Sequence, residues 1–194
     1  IIAACIAVSV IASLVASRPY RTVLPERLAA DAGFPALLLL HGLGSSAAGQ
    51  DEHYQLSAAA KARGFVLALP EGTRHRNGHR FWNATDACCG FGAQVDDVAY
   101  LSAVLADLQA RFPIDPRRIF VAGHSNGGFM ALRMACERSE LVAGVISVAG
   151  AGWSEASRCT PQGPVNVLQV HGTRDDTIQY GGGALRGVTQ PGAE

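Results

Sequence analysis

Gly123-His124-Ser125-Asn126-Gly127 lies between a predicted strand, residues 118–122, and a predicted helix, which starts near Gly127 and runs to about residue 137. The stretch has the pattern G-x-S-x-G in a strand–turn–helix context, where a sharp turn lifts a serine hydroxyl above the edge of a sheet. Glycines two positions before and two positions after the serine let the strand and the helix approach closely. The stretch therefore predicts that Ser125 is a nucleophile, and the alternative is an ordinary glycine-rich turn.

Continuous apolar runs elsewhere indicate strands that are buried in a parallel sheet. They cover residues 36–40, 65–69, 142–148 and 165–170. A short strand over 21–24 and helices over 55–63 and 95–110 complete the pattern, and Asp115-Pro116 is expected to interrupt the chain before the strand at Arg118. Strands that alternate with helices predict an α/β fold, with a mostly parallel sheet and helices on both faces. Residues 71–94 are predicted to form a long irregular loop.

The composition fits one globular domain and excludes several classes of protein. The chain has 194 residues, of which 48% are hydrophobic and 16% charged, so it is long enough for a sizeable core and is not disordered. Sixteen basic and sixteen acidic residues give no net charge, and no basic run indicates nucleic acid. No cysteine or histidine spacing indicates a metal, and we expect no cofactor. The absence of net charge slightly favours a neutral ligand over a charged one.

A serine nucleophile needs donors for a developing oxyanion and an acid that orients its base. The Asn126 amide opens the helix after the serine, and the Leu43 amide follows an earlier buried strand, so we expect these two to be the oxyanion donors. Asp175 and Asp176 follow the strand over 165–170, and either is a candidate acid, with a helix cap as the alternative. All three motifs follow strands, so we expect them at the same sheet edge.

No histidine follows Asp176 in the chain, so the sequence shows no candidate for the base. His41 and His171 directly follow predicted strands, and we expect each to shape its loop. His41 precedes the serine in the chain, which is the wrong order for the catalytic base of this architecture. His124 is expected to point away from the serine, and the charged loop that holds His75 and His79 is expected to be solvated.

Aromatic and acidic residues outside these motifs support weaker predictions. Trp82 and Trp153 are candidate substrate-facing residues, and packing in the core or a loop is the alternative for each. Asp96 and Asp97 begin a predicted helix, where a carboxylate interacts favourably with the helix dipole.

Residues 1–17 carry no charge and are rich in Ile, Val and Ala. The segment is shorter than the roughly 20 residues of a membrane span and has small residues near Ala16, so we predict a secretory signal or an anchor, with a buried strand or helix as the alternative. The globular domain is then residues 18–194. Export to the medium or the cell envelope follows, with membrane contact only through an uncleaved segment. No methionine starts the chain, so we expect it to be clipped here.

An exported chain can form disulfides from its cysteines. Because neighbouring cysteines bond to each other only with strain, we expect Cys88 and Cys89 to pair with Cys136 and Cys159, and reduced buried thiols are the alternative.

Several short motifs in order carry a family resemblance. They are Leu40-His41-Gly42, Phe81-Trp82-Asn83, Cys88-Cys89-Gly90, residues 95–98, residues 114–118, Ser125-Asn126-Gly127-Gly128 and His171-Gly172-Thr173. Over residues 18–180, roughly, the chain resembles the secreted polyhydroxybutyrate depolymerase-like esterases, which include feruloyl esterases. The resemblance implies an α/β-hydrolase fold and a Ser–Asp–His hydrolase of carboxylic esters.

Within this resemblance Ser125 matches the nucleophile and Asp175 the acid, whereas Asp176 and Gln179 stand where the family usually has proline. The family's histidine lies some tens of residues beyond the acid, so the resemblance implies that the C-terminal part of the domain is missing. We then expect residues 165–170 to form an exposed sheet edge, and the 194-residue chain alone to be inactive and poorly soluble.

The leading hypothesis is a serine esterase for polyhydroxyalkanoate, feruloyl or other small acyl esters, so that the expected partner is an ester substrate, including polymeric ones. The alternatives are a peptidase of the same fold and a non-catalytic binding protein with a decayed site.

Overall fold

A six-stranded sheet forms the centre of the computed structural model, which describes residues 2–27, 33–89, 92–185 and 187–193. Its strands, in chain order, are β1 (Arg21–Val23), β2 (Phe34–Leu40), β3 (Val66–Leu69), β6 (Ile114–His124), β7 (Gly144–Val148) and β8 (Asn166–Val170). Two hairpins lie outside the sheet, β4 (Thr73–Arg74) with β5 (Arg80–Phe81), and β9 (Gly183–Leu185) with β10 (Val188–Gln190). The helices are α1 (Ile2–Ser17), α2 (Ala47–Tyr54), α3 (Leu56–Arg63), α4 (Asp97–Arg111) and α5 (Asn126–Glu137).

The strands run in the order β1-β3-β2-β6-β7-β8 across the sheet. Every pair is parallel except that of β1 with β3. Parallel neighbours need crossover connections, and helices α2 to α5 supply most of them. The predicted α/β fold with a mostly parallel sheet is confirmed.

Helices cover both faces of this sheet because successive strand side chains point to opposite faces. In β2, Leu38 and Leu40 belong to the main core, which contains the apolar sides of α4 and α5. Leu39 belongs to a smaller core on the opposite face, where it joins Ala47 of α2 and Ala60 of α3. A continuous apolar strand therefore supplies both cores, as its sequence predicts.

The N-terminal segment forms helix α1 and lies against α4. Val15 packs on the main core, and directly after the helix Arg18 forms an ion pair with the buried Asp97 at 2.6 Å. Among the helices that the structure describes, none is long and apolar enough to cross a membrane. The predicted signal or anchor role, and with it the boundary at residue 18, stays a prediction.

Three local elements differ from the sequence prediction. The segment 71–94, predicted to be irregular, contains the short β4–β5 hairpin. Strand β6 begins at Ile114 and continues through Asp115-Pro116, where an interruption was expected. Phe34 pairs with Ile114 but Ala36 pairs with Ile119, so β6 bulges away from β2 around Pro116, where a residue without an amide proton is tolerated. Helix α2 was not predicted, because its segment AAGQDEHY lacks an apolar stripe.

The expected disulfide pairing is wrong. Cys88 bonds to its neighbour Cys89, and Cys136 bonds to Cys159. Cys136 lies in the last turn of α5, and the chain after β7 returns to place the Cα atom of Cys159 4.9 Å away, so the two remote cysteines satisfy each other. Cys89 adopts a left-handed backbone with φ 71°.

Strand β8 is the outer strand of the sheet beside β7. Val167, Leu168 and Val170 are 55%, 55% and 47% exposed, so apolar side chains on both faces of this strand are open to solvent. The expected exposed sheet edge is confirmed, and poor solubility of the 194-residue chain remains a prediction.

The turn from β6 into α5 depends on two glycines at a backbone crossing. A Cβ atom on Gly127 would lie 2.7 Å from the His41 carbonyl oxygen and still closer to that of Leu40. A Cβ atom on Gly123 would overlap the Gly127 carbonyl group and lie 2.7 Å from the Gly128 nitrogen. These neighbours are main-chain atoms of the central strands and of α5, and they cannot move aside locally.

Substitution Gly123→Ala should therefore lower the free energy of unfolding by about 3 kcal/mol or more, because the added methyl group overpacks backbone. The matched control is Gly152→Ala, since a Cβ atom there meets nothing within 4 Å, and it should change stability by less than about 0.5 kcal/mol. Chemical denaturation measures both. Equal effects of the two substitutions would contradict the crossing as described.

Candidate active site

Ser125 occupies the sharp turn between β6 and α5, with φ 52° and ψ −120°. A non-glycine residue adopts such a conformation only where its surroundings impose it. Here the Ser125 amide donates to the Val148 carbonyl at 2.8 Å, and the Ser125 carbonyl accepts from the Phe129 amide at 3.0 Å. Both backbone groups are thus fixed, while the half-buried side chain makes no hydrogen bond within the described part of the chain.

The two predicted oxyanion donors are amides without an intramolecular acceptor among the described residues. Asn126 is the first residue of α5, so its amide precedes the helical hydrogen-bond ladder. In the loop after β2, the Gly42 amide donates to Gln50 Oε1 at 3.1 Å and the Gly44 amide to the Arg80 carbonyl at 2.8 Å. The Leu43 amide between them stays available.

This loop approaches the serine closely. A Cβ atom built on Gly42 would lie 3.6 Å from the Ser125 Cβ atom. The residue before the Leu43 amide therefore lies against the turn at Ser125.

His41 shapes the loop, as predicted. Its ring is buried, its Nε2 accepts from the Gly72 amide at 2.9 Å, and its Nδ1 lies 2.8 Å from the Gly42 carbonyl oxygen, to which the neutral ring donates. Burial lowers the pKa of His41 and is the dominant cause, so the ring stays neutral at physiological pH. Both ring nitrogens are occupied, and no proton-transfer role is open to them.

Asp175 organises its own loop after β8. Its Oδ1 accepts from the amides of Thr177 at 2.9 Å and Ile178 at 2.8 Å, which leaves Oδ2 without a backbone partner. The loop is a turn and not a helix start, so the helix-cap alternative does not apply. Asp176 is exposed and accepts only a 3.4 Å hydrogen bond from Thr177 Oγ1, so it is the less constrained of the two candidates.

His171, the histidine nearest to Asp175 in the chain, forms its hydrogen bonds with other residues. His171 Nε2 donates to the Ile178 carbonyl at 2.6 Å, and its Nδ1 accepts from Gln169 Nε2 at 3.2 Å. Its Nε2 is 3.6 Å from Asp175 Oδ2, but that proton already has a shorter acceptor. The predicted structural role of His171 agrees with these contacts.

His53, His79 and His124 lie near the serine turn or the loop after β2, and none of them bonds to the Ser125 hydroxyl. The His124 ring is 6.5 Å from that of His53 and 6.4 Å from that of Tyr54, both in α2. Burial lowers the pKa of His124, with a smaller contribution of the same sign from His53 and an opposing one from Asp175. His79 is exposed and lies over Gly44.

Trp82 does not face substrate, so that prediction is wrong. Its side chain is fully buried in the main core, and its Nε1 donates to the His41 carbonyl at 3.0 Å. Trp153 is half-buried at a cavity of about 540 Å³, where guanidinium carbons of Arg158 and Arg133 lie 3.9 and 5.4 Å from its ring centroid. A substrate role for Trp153 stays a prediction.

Asp97 also has a structural role beyond the helix start predicted for it. Its buried carboxylate accepts from the Asn83 amide at 2.7 Å and pairs with Arg18.

The side chains of Gln50 and Asn126 bond to backbone groups near the serine, and the sequence does not predict these contacts, because buried polar side chains leave no periodic signal. The described residues hold no cluster of His, Cys, Asp and Glu that would suit a metal ion.

Several known proteins are similar to this chain in sequence. The sequence profile of the family described as "Putative esterase" matches residues 11–181. "Putative esterase NocK" of Nocardia uniformis is 36% identical over 84% of this chain, Feruloyl esterase B of Piromyces equi is 26% identical over 82%, and Poly(3-hydroxyalkanoate) depolymerase C of Paucimonas lemoignei is 27% identical over 66%. The chain spans 45%, 29% and 31% of these proteins, respectively, which is less than half of each.

Solved structures show the same fold. Esterase PE8 superposes with a TM-score of 0.61 over 84% of this chain and 78% of its own, at 22% identity. The protein pOPH superposes with a TM-score of 0.64 over 82% of this chain and 63% of its own, at 17% identity. With the family profile spanning most of the sequence, the chain belongs to the esterase family and has the α/β-hydrolase fold.

Proposed function

We propose that the full-length protein is a serine hydrolase of carboxylic esters. The observation that carries the proposal is the strained Ser125 turn, with the unpaired Asn126 amide directly after it and the unpaired Leu43 amide in the loop that lies against it. Amides fixed before the reaction stabilise the oxyanion without reorganisation, which is the largest catalytic contribution in acyl transfer. Intact donors and an intact nucleophile turn favour an enzyme over a binding protein with a decayed site.

In the proposed reaction Ser125 Oγ attacks the ester carbonyl carbon while a base removes its proton. The alcohol leaves with a proton from that base, and water then hydrolyses the acyl-enzyme and restores Ser125. Asp175 orients the base through Oδ2, the oxygen that its own loop leaves free. The Ser125 hydroxyl makes no hydrogen bond to any histidine that the structure describes, so we propose that the base is a histidine outside these 194 residues.

The substrates and the location are proposed on coarser grounds. Relatives named for feruloyl esterase and poly(3-hydroxyalkanoate) depolymerase activity support an acyl ester, including polymeric ones, as substrate. The uncharged segment over residues 1–17 and the two disulfides support export from the cytoplasm. We propose that Trp153 borders a more distant part of the substrate site.

The direct test is hydrolysis of p-nitrophenyl acetate and butyrate by the full-length protein and by its Ser125→Ala variant. The variant should lose at least about 10⁴-fold in kcat, because the nucleophile is gone while the fold is kept. Circular dichroism controls for folding. A folded Ser125→Ala protein that keeps more than a tenth of the activity would refute the proposal, and so would a full-length protein inactive on every ester of a broad panel.

Asp175→Asn separates the charge of the acid from its role in the loop. An asparagine Oδ1 can still accept from the Thr177 and Ile178 amides, so the turn should persist while the orienting carboxylate is lost. We expect kcat to fall by about 10³- to 10⁴-fold, as in related triads.

The matched control is Asp176→Asn, which removes an exposed charge one residue away and should alter kcat by less than about threefold, as expected for a surface substitution. Steady-state kinetics on one ester measures both. The acid assignment would be overturned if Asp176→Asn were the more damaging substitution.

A further inference from the structure

Trp82 connects the two segments that carry the predicted oxyanion donors. We propose that Trp82 is a positioning residue that holds the Asn126 and Leu43 amides in one fixed arrangement through its backbone and its indole N–H. This inference rests on the proposed function and assigns a further residue to it. Trp82 touches no substrate in this account, since its side chain is 0% exposed.

The backbone of Trp82 fixes Asn126. The Trp82 amide donates to Asn126 Oδ1 at 2.7 Å, and Asn126 Nδ2 donates to the Trp82 carbonyl at 2.9 Å. Nδ2 also lies 3.8 Å from Cys88 Sγ. These two reciprocal bonds hold the Asn126 side chain in one orientation. The backbone amide of the same residue begins α5. Asn126 is fully buried, so solvent does not compete for these bonds.

The indole of Trp82 fixes the other segment. Its Nε1 donates to the His41 carbonyl at 3.0 Å, two residues before the Leu43 amide, and the Trp82 and His41 rings are 5.2 Å apart. Next to that carbonyl, the His41 ring accepts a hydrogen bond from the Gly72 amide, and the Gly42 amide donates one to the Gln50 side chain. The Trp82 bond joins this loop to the segment bonded to Asn126, together with the bond from the Gly44 amide to the Arg80 carbonyl at 2.8 Å.

A purely space-filling role makes a different prediction from a positioning role. Phenylalanine keeps one aromatic ring in the core beside Tyr100, whose ring is stacked on Trp82 at 6.4 Å, and it loses the N–H donor together with part of the buried volume. If Trp82 merely fills the core, its loss affects stability and leaves the chemistry intact. If it positions the loop, the substitution displaces an oxyanion donor, and displacements near 1 Å can cost about 10²-fold in rate.

The test compares Trp82→Phe with Tyr100→Phe in the full-length protein. Tyr100 is the matched control, because it is equally buried, stacks on Trp82 and bonds through its hydroxyl to the backbone of Arg18, at 2.9 Å, and of Glu71 and not to the loop after β2. Trp82→Phe should lower kcat by about 10- to 100-fold with KM within about twofold, because the lost contact acts in the transition state. Tyr100→Phe should leave kcat within about twofold, as for a lost bond remote from the reacting atoms.

Hydrogen exchange supplies a readout that does not depend on activity. The Gly42, Gly44 and Ser45 amides are bonded in the wild type, so in Trp82→Phe they should exchange about tenfold faster, as for the loss of one buried hydrogen bond. In Tyr100→Phe they should exchange as in the wild type. Thermal unfolding of each variant shows whether it folds.

The possible outcomes separate this inference from the proposed function. An active wild type whose Trp82→Phe variant keeps full kcat overturns the positioning role alone, as does a rise in KM at constant kcat, which would mean substrate contact. Equal losses in Trp82→Phe and Tyr100→Phe also overturn it. If the wild type hydrolyses no ester, the proposed function fails, and unchanged exchange in residues 42–45 then overturns the structural coupling as well.

Discussion

The close crossing of α5 over the end of β2 is the constraint on which the rest of the site depends. Gly127 touches the carbonyl groups of Leu40 and His41, so the helix after the serine begins directly above the central strand. No side chain fits between them, and the turn at Ser125 must take a backbone conformation that is unfavourable for serine. The same crossing brings the start of the helix beside the loop that follows β2.

Buried polar contacts convert that backbone arrangement into a defined site. His41, Gln50 and Asn126 are polar and buried, and each bonds to a backbone group of a loop near the serine. A buried polar group with a partner is far more favourable than one without, so these side chains select one loop conformation among many. The neighbouring amides of Gly42, Gly44 and Ser125 are all hydrogen-bonded, whereas those of Leu43 and Asn126 have no acceptor among the described residues.

The elements that the sequence predicts well are those with strong local signals. The turn at Ser125 follows from its two glycines, and the strands β2 and β7 follow from continuous apolar runs. Contacts that join distant segments have no such signal. The bulge near Pro116 depends on pairing with β2, helix α2 is held by buried Gln50 and Asp51, and the disulfide partner of Cys136 depends on the path of the chain after β7.

Trp82 illustrates the same limit within the site. An aromatic residue in a long loop next to a predicted site suggests contact with substrate, but its surroundings bury it completely. Only the fold brings its backbone to Asn126 and its indole to His41. Residue types in local motifs therefore lead to the proposed reacting groups, whereas the residues proposed to hold them are found only through tertiary contacts.

If Ser125 is the activated nucleophile of the full-length protein, covalent labelling should detect it. A fluorophosphonate reacts with an activated serine, and digestion followed by mass spectrometry identifies the modified residue. We expect one adduct per chain, on the peptide that contains Ser125, with loss of ester hydrolysis in proportion to labelling. An adduct on another residue, or full hydrolysis after complete labelling of Ser125, would contradict it.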